Sequence, residues 1–288
     1  MTKLTPKDFY VDDTKPIIEN SGVNVIYFTN RCNLACTYCY EDLIGRPEQV
    51  LTQEQIRDSI DAIIAREDPG TQTLFVLFGG EVTLQWENAL YFMDYAYSKK
   101  KNVHFNISTN GIRFLKDDFI IGYKKLKYNI LGLTSLDISF DGVGNGERIT
   151  HNGKPSTPFM IKVFKKLNDH NVPFRLRYTM HSGNINNLYA DIKLIAKTIK
   201  PQRIITSIAW STLTDDMLKL LKQAKEDLRQ DWFNRDITIP VCALFCDACN
   251  GCGSRKDIKT YFTDEGNVTT YKNDVIAPKF NDFKEKVQ

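Results

Sequence analysis

The chain of 288 residues is long enough to bury a sizeable core and to hold one large domain with a smaller one. Its composition, 42% hydrophobic and 25% charged, is typical of a globular protein and excludes a low-complexity chain, and the formal net charge of +3 gives no indication of a nucleic-acid partner. The first residues lack the apolar core of a signal peptide, and no apolar run has the length of a membrane helix. We therefore expect a cytoplasmic protein with no membrane partner.

The first predicted elements are a polar arm over residues 1–21 and a buried strand over residues 23–29. The loop after this strand carries Cys32, Cys36 and Cys39 in a C-x3-C-x2-C spacing. Three thiolates can hold three corners of a [4Fe–4S] cluster, which leaves one iron open to a substrate or cofactor. Structural zinc, the main alternative, needs four ligands, and no histidine lies in this loop or just after it. The loop therefore favours a catalytic iron–sulfur centre.

Five further apolar strands alternate with amphipathic helices along the next part of the chain. Such alternation predicts a parallel sheet with right-handed crossovers, whose functional groups gather at the carboxyl ends of the strands. We therefore predict an α/β fold, a partial (βα)6 barrel over residues 22–213. The predicted strands are 73–78, 103–108, 133–140, 172–178 and 203–208, and the predicted helices begin at residue 52 and cover 85–100, 116–127, 157–169 and 186–199.

Short polar motifs follow the second and third predicted strands. A Gly-Gly-Glu turn lies at 79–81, and a Ser-Thr-Asn-Gly segment lies at 108–111. Glycines let a backbone approach a ligand closely, and a carboxylate can accept hydrogen bonds from an ammonium group. Either motif alone is also an ordinary turn, so its place at a strand end is what favours ligand binding.

The fourth and fifth strands bring charged residues to the same region. A Ser-Phe-Asp-Gly segment lies at 139–142 with Arg148 downstream, and Asp137 should point into the barrel lumen. Arg175 and Arg177 share one face of the fifth strand. A guanidinium inside the barrel needs an anionic partner, whereas on the outer face it would be solvated. The four histidines show no metal-ligand spacing.

The C-terminal part of the chain carries a second group of cysteines. A helix over residues 214–235 is predicted to link the barrel to a small module over residues 236–288. Four thiolates close one [4Fe–4S] cluster, and a four-thiolate zinc site is the alternative. The four cysteines are Cys242, Cys246, Cys249 and Cys252.

The first cysteine loop, with an aromatic residue before its last thiol, resembles the signature of the radical S-adenosylmethionine (SAM) superfamily. This resemblance implies that SAM binds the open iron and is reductively cleaved to a 5′-deoxyadenosyl radical, which removes hydrogen from the substrate. It also implies an electron donor such as flavodoxin or ferredoxin. The strand-end motifs resemble the SAM-binding segments of that family, and we add one arginine as a partner for the SAM carboxylate. The predicted SAM contacts are Tyr38, Gly79, Gly80, Glu81, Ser108, Asn110, Ser139, Asp141 and Arg177.

The second cysteine group resembles the auxiliary-cluster modules of SPASM or twitch type, and residues 260–271 resemble the hairpin that follows the ligands there. Because only four cysteines remain for it, this module can hold one auxiliary cluster. The resemblance implies hydrogen abstraction from an unactivated C–H of a peptide or protein, leading to cross-linking, epimerisation or oxidation. Modification of a nucleotide, nucleobase or small metabolite is an alternative, and a non-catalytic metal-binding interaction module is another.

Overall fold

A computed structural model describes residues 23–39, 48–144, 146–208, 214–234, 236, 237, 239, 241, 258–264 and 267–271. Strands and helices alternate through most of these residues, as the apolar patterns predict. The first six strands are β1 (Val23–Tyr27), β2 (Thr73–Phe78), β3 (Val103–Thr109), β4 (Thr134–Phe140), β5 (Arg175–Met180) and β6 (Ile204–Ile208). The helices are α1 (Gln53–Ile64), α2 (Trp86–Lys99), α3 (Asp117–Lys124), α4 (Lys127–Ile130), α5 (Thr157–Asp169), α6 (Leu188–Thr198) and α7 (Asp215–Phe233).

The six strands form one parallel sheet in the order β6-β5-β4-β3-β2-β1. Each strand pairs with the next one along the chain, which is the arrangement that βα units produce with right-handed crossovers. Strands β1 and β6 do not pair with each other, so the barrel is open on that side. The predicted partial (βα)6 barrel is confirmed.

A C-terminal hairpin extends the same sheet beyond β1. Strands β7 (Ile258–Asp264) and β8 (Asn267–Tyr271) are antiparallel to each other, and β7 runs parallel to β1. The hairpin expected over 260–271 is therefore present, and it lies in the sheet of the barrel. The division into an arm, a barrel, a linking helix and a module stays a prediction.

Most boundaries lie within two residues of the sequence prediction, and two elements differ by more. Strand β5 begins at Arg175 and not at residue 172, because Pro173 has no N–H to contribute to the pairing. The single helix predicted over 116–127 is divided into α3 and α4, and Lys125 is the C-cap of α3.

The hydrophobic core lies between the outer face of the sheet and the helices. Phe75 of β2 packs edge-on against Phe92 of α2, and Phe140 of β4 packs edge-on against Phe164 of α5. Side chains alternate along a strand, so the neighbours of Phe75 in β2 and of Phe140 in β4 face the interior of the barrel. Within the described part of the chain, we find no helix with the length and apolar content of a membrane span.

Candidate functional site

The predicted site residues of the barrel gather at one edge of the sheet. The cysteine loop follows β1, the Gly-Gly-Glu turn follows β2, and the Ser-Thr-Asn-Gly segment ends β3. Asp141 follows β4, and His181 follows β5. Because the strands are parallel, all of these residues lie at the carboxyl edge of the barrel, where such folds place their functional groups.

Glycines at 79 and 80 allow the β2 turn to lie directly against the start of the cysteine loop. A Cβ on Gly79 would come within 2.4 Å of the Thr29 carbonyl oxygen, and a Cβ on Gly80 within 2.4 Å of the Arg31 carbonyl oxygen. Two backbone hydrogen bonds hold the contact, from Gly80 N to Thr29 O at 2.7 Å and from Glu81 N to Arg31 O at 2.8 Å. The glycine pair is therefore required for packing here, whatever else it binds.

The segment after β4 holds the cysteine loop from the other side. Thr37 N donates to the Glu147 carbonyl at 2.9 Å, and Ala35 N donates to the Ile149 carbonyl at 2.8 Å. The ring of His151 lies 2.9 Å from the Cys32 carbonyl oxygen through Nε2. The sequence did not predict these contacts, because hydrogen bonds to the main chain of a distant segment do not require a recognisable sequence motif.

The three thiols of the loop remain partly or wholly shielded from solvent. Cys36 is buried, while Cys32 and Cys39 are partly exposed. Burial raises the pKa of Cys32 to about 11 and that of Cys36 to about 12. Such thiols stay protonated at neutral pH until a metal displaces the proton.

The three thiols match the cysteine ligands of an iron–sulfur cluster. Within the described ranges, no three His, Cys, Asp or Glu side chains converge on one metal ion. The thiolates of a [4Fe–4S] cluster bind different irons, so they need not meet at one point. The donor set of Cys32, Cys36 and Cys39 on one loop therefore suits a cluster with one iron open.

Asn110 connects the end of β3 to this loop. Its Nδ2 donates to Asn33 Oδ1 at 2.6 Å and lies 3.7 Å from Cys32 Sγ. A hydrogen bond to a ligand sulfur is one of the features that set the reduction potential of iron–sulfur clusters. Asn110 was predicted as a SAM contact, and the structure gives it a position next to the first thiol.

Glu81 is almost fully buried, and hydrogen bonds from the chain surround its carboxylate. Oε1 accepts from Thr83 N at 2.9 Å, from Thr83 Oγ1 at 2.6 Å and from Thr109 Oγ1 at 2.6 Å. Oε2 accepts from Asn110 N at 2.7 Å. In this arrangement Glu81 links the ends of β2 and β3, and its predicted contact with SAM stays a prediction.

Tyr38 lies in a partly buried polar group with Asp141 and Arg148, two residues that the sequence analysis also named. Its hydroxyl donates to Asp141 Oδ2, and Arg148 Nη2 donates to the Tyr38 hydroxyl at 2.9 Å and to Asp141 Oδ1 at 3.2 Å. The His181 ring stacks on Tyr38 with a centroid distance of 4.6 Å. Burial is the main reason why the pKa of Tyr38 is well above its usual range. The group fixes the aromatic ring of the cysteine loop, and His181 was not assigned to it from the sequence.

Ser108, Ser139 and Arg177 lie on the inner face of the sheet. Ser139 pairs with Arg177 between β4 and β5, and Ser108 pairs with Asp137 between β3 and β4. Asp137 binds both arginines of β5, so the predicted common face of Arg175 and Arg177 is found. The four C-terminal cysteines, Cys242, Cys246, Cys249 and Cys252, lie outside the described residues.

Comparison with known proteins identifies one family. The sequence model of the Radical SAM superfamily matches residues 26–187, which is more than half of the chain. The matched segment begins within β1 and ends at the short 3-10 turn after β5. It therefore contains the cysteine loop and every strand-end motif described above.

Three curated relatives share between 25% and 28% of their aligned residues with this chain. An uncharacterized protein of Methanocaldococcus jannaschii is 26% identical over 61% of this chain and 59% of its own length. The Fe-coproporphyrin III synthase of Methanosarcina barkeri is 25% identical over 66% of this chain and 43% of its own length. The antilisterial bacteriocin subtilosin biosynthesis protein AlbA of Bacillus subtilis is 28% identical over 54% and 33%. The chain thus spans between a third and three fifths of the length of these relatives.

Solved structures share the fold at lower sequence identity. The structure of anSMEcpe with bound AdoMet and a Kp18Cys peptide superposes with a TM-score of 0.61 and 15% identity, over 77% of this chain and 63% of that one. The structure of Streptococcus suis SuiB bound to S-adenosylmethionine superposes with a TM-score of 0.56 and 16% identity, over 77% and 50%. At these identities the likeness establishes a common fold.

Proposed function

The chain belongs to the radical SAM superfamily of enzymes, and from this premise we propose that it removes a hydrogen atom from an unactivated C–H of a peptide or protein. Cross-linking, epimerisation or oxidation of that substrate would follow. The observation that carries the proposal is the three-thiol loop at the carboxyl end of β1, held between the Gly79–Gly80 turn and residues 147–151.

The residues of this loop suit the cofactors that the family implies, a [4Fe–4S] cluster and SAM. Cys32, Cys36 and Cys39 would bind three irons and leave the fourth for SAM. Once bound, these cofactors supply a 5′-deoxyadenosyl radical. The hydrogen bonds of Tyr38 with Asp141 and Arg148 would keep its ring next to the loop, where it could contact SAM.

The peptide or protein substrate is supported by the kinds of protein that the chain resembles. AlbA takes part in the biosynthesis of a bacteriocin, and the anSMEcpe structure holds a peptide together with AdoMet. The C-terminal cysteine group also supports the proposal, since we propose that it binds one auxiliary [4Fe–4S] cluster of SPASM or twitch type. An electron donor such as flavodoxin or ferredoxin would reduce the clusters.

A small-molecule substrate is the second candidate. It is favoured by the Fe-coproporphyrin III synthase, whose match covers 66% of this chain, more than the match to AlbA. A barrel lumen of this kind can hold a metabolite as well as a peptide side chain.

The first experiment is incubation of anaerobically reconstituted enzyme with SAM and dithionite, with 5′-deoxyadenosine measured by chromatography. We expect the wild type to form 5′-deoxyadenosine, and Cys36→Ala to form none because the cluster loses a ligand. Ser98→Ala changes an exposed residue of α2 and is the control for loss of activity during purification and reconstitution. It should behave as the wild type. Turnover by Cys36→Ala would refute the assignment of the loop.

The second experiment separates the two substrate classes. Candidate peptides and metabolites, deuterated at C–H positions, are added to the active enzyme, and deuterium in 5′-deoxyadenosine is measured by mass spectrometry. Transfer from a peptide is expected. Transfer from a small metabolite alone would replace the leading proposal with the second candidate.

A further inference from the structure

Only three charged residues occur in the six barrel strands, and they contact one another. They are Asp137 in β4 and Arg175 and Arg177 in β5. Arg175 Nε lies 2.6 Å from Asp137 Oδ1, and Arg177 Nη2 lies 3.1 Å from Asp137 Oδ2. We call these residues the lumen cluster. Its two guanidinium groups and one carboxylate give the cluster a net charge of +1.

The cluster is buried at its centre and open at its arginines. The Asp137 side chain is 1% exposed, whereas those of Arg175 and Arg177 are 28% and 26% exposed. Each carboxylate oxygen of Asp137 contacts one guanidinium group, so neither arginine uses all of its N–H donors on Asp137. Arg177 Nε is buried and has no hydrogen-bond partner. Both guanidinium groups therefore keep N–H donors that Asp137 does not use.

The surrounding polar side chains add no charge. His104 Nε2 lies 3.1 Å from Ser135 Oγ, and Asn106 Nδ2 donates to the same oxygen at 3.0 Å. Burial and the nearby Arg175 guanidinium lower the pKa of His104 to about 4, so the ring is neutral at pH 7. Among the described residues, these neighbours therefore leave the net charge of the cluster unchanged at neutral pH.

Arg175 lies deeper in the barrel than most of the predicted SAM contacts, which include Arg177, and is level with Ser108 through their common partner Asp137. Arg177 pairs with Ser139, and Arg175 pairs with Asp137, which is four residues before Asp141. At about 3.3 Å per residue, Arg175 is displaced by roughly 13 Å along the strand from the level of Asp141. A group bound at Arg175 thus lies further into the lumen than a ligand held by the cysteine loop.

We propose that the lumen cluster binds a carboxylate of the substrate, with Arg175 as the deeper contact and Arg177 between it and the cysteine loop. The inference rests on the proposed function, because it requires a substrate in the barrel. A carboxylate matches the cluster in two ways: its single negative charge neutralises the excess, and its two oxygens fit a guanidinium fork. A phosphate dianion would exceed the available charge.

The test uses two ligands that differ in charge and are nearly identical in shape. N-acetyl-L-glutamate N-methylamide carries a carboxylate, and N-acetyl-L-glutamine N-methylamide carries an amide in its place. Each is titrated by calorimetry into anaerobically reconstituted enzyme with saturating SAM and no reductant, so that no turnover occurs. We expect the wild type to bind the glutamate compound about tenfold more tightly, as one charge-assisted bidentate contact permits.

Two variants change the charge of the cluster in opposite directions. Arg175→Gln removes the excess charge and should abolish the preference for the glutamate compound. Asp137→Asn raises the excess by one charge and should increase the preference at least several-fold. Arg229→Gln, on the surface of α7, is the matched control and should keep the preference of the wild type. Circular dichroism checks that each variant is folded.

Any of the following results would overturn the inference. Equal binding of the two compounds by the wild type, or loss of the preference in both Arg175→Gln and Asp137→Asn, would make the cluster purely structural. A weaker affinity for SAM in Arg175→Gln, with no preference between the compounds, would assign the cluster to the SAM carboxylate. Stronger competition by inorganic phosphate than by acetate would replace the carboxylate with a phosphate. Since no reductant is used, these results are independent of 5′-deoxyadenosine formation, which tests the proposed function.

Discussion

Glu81 illustrates at the scale of one residue how a binding motif can also be part of the framework. Its carboxylate accepts hydrogen bonds from the backbone and hydroxyl of Thr83, from the hydroxyl of Thr109 and from the backbone of Asn110. Two of these donors lie on β3 or just after it and follow Glu81 by nearly thirty positions in the chain. A Gly-Gly-Glu turn in the sequence identifies the residue but does not show these partners.

Replacing Glu81 by glutamine should destabilise the fold. An amide NH2 would replace one oxygen, so at least one donor of the chain would face another donor inside a buried site. We expect the free energy of unfolding to fall by about 1–3 kcal/mol, the cost of leaving a buried polar group unsatisfied. Urea unfolding measures the change, and Glu226→Gln, whose side chain is mostly exposed on α7, should alter it by less than about 0.5 kcal/mol. An unchanged stability of Glu81→Gln would show that these hydrogen bonds are dispensable.

The contacts of Tyr38 show which parts of its environment the sequence could predict and which it could not. The sequence assigned Tyr38 and Asp141 to SAM binding, and the partly buried Tyr38 and the buried Asp141 form one hydrogen-bonded group with Arg148. The stacking of His181 on Tyr38 had no signal in the sequence, because it depends on the ends of β1 and β5 meeting at one edge.

At the scale of elements, the apolar pattern predicted most strands and helices to within a few residues. This succeeded because each strand is an apolar run bounded by turn residues, and each helix carries one buried face. The start of β5 was predicted too early because Val172 and Phe174 are buried like strand residues, although they flank Pro173. Burial and strand pairing are separate properties, and the pattern of apolar residues reports burial.

The contact between the β2 turn and the cysteine loop gives a prediction at this scale. A methyl group at Gly80 would come within 2.4 Å of the Arg31 carbonyl oxygen and 2.6 Å of the Asn30 carbonyl oxygen, so the cysteine loop would have to move. We expect Gly80→Ala to lose about 1–3 kcal/mol of stability, as for other overpacked sites. Its iron content after reconstitution should also fall.

The matched control is Gly122→Ala in helix α3. No atom lies within 4 Å of a Cβ at Gly122, and alanine is the better helix former, so this variant should be more stable by about 0.5–1 kcal/mol and should bind iron normally. Urea unfolding and iron analysis compare the two. Normal iron content in Gly80→Ala would mean that the loop tolerates a displaced turn.

At the scale of the whole molecule, the parallel order of the barrel explains why strand-end motifs could be found from the sequence. Every βα unit delivers its loop to one edge, so residues in unrelated motifs must meet there. The inner face is different. Asp137 and Arg175 were predicted to share it, but only the register between β4 and β5 shows that one carboxylate serves two guanidinium groups.

The two cysteine groups of the chain give a prediction that involves the whole protein. If Cys242, Cys246, Cys249 and Cys252 bind an auxiliary [4Fe–4S] cluster, the reconstituted enzyme holds two clusters, and Cys249→Ala should lose about half of its iron because an incomplete ligand set no longer retains the second cluster. It should still bind SAM, since the first loop is unchanged. Cys36→Ala should retain the auxiliary iron and lose SAM binding, so the two variants give complementary losses.

Iron and zinc analysis with absorption spectra measures both. Zinc in the wild type that disappears in Cys249→Ala would contradict the auxiliary cluster and identify a structural metal, because a four-thiolate site accepts zinc as readily as iron.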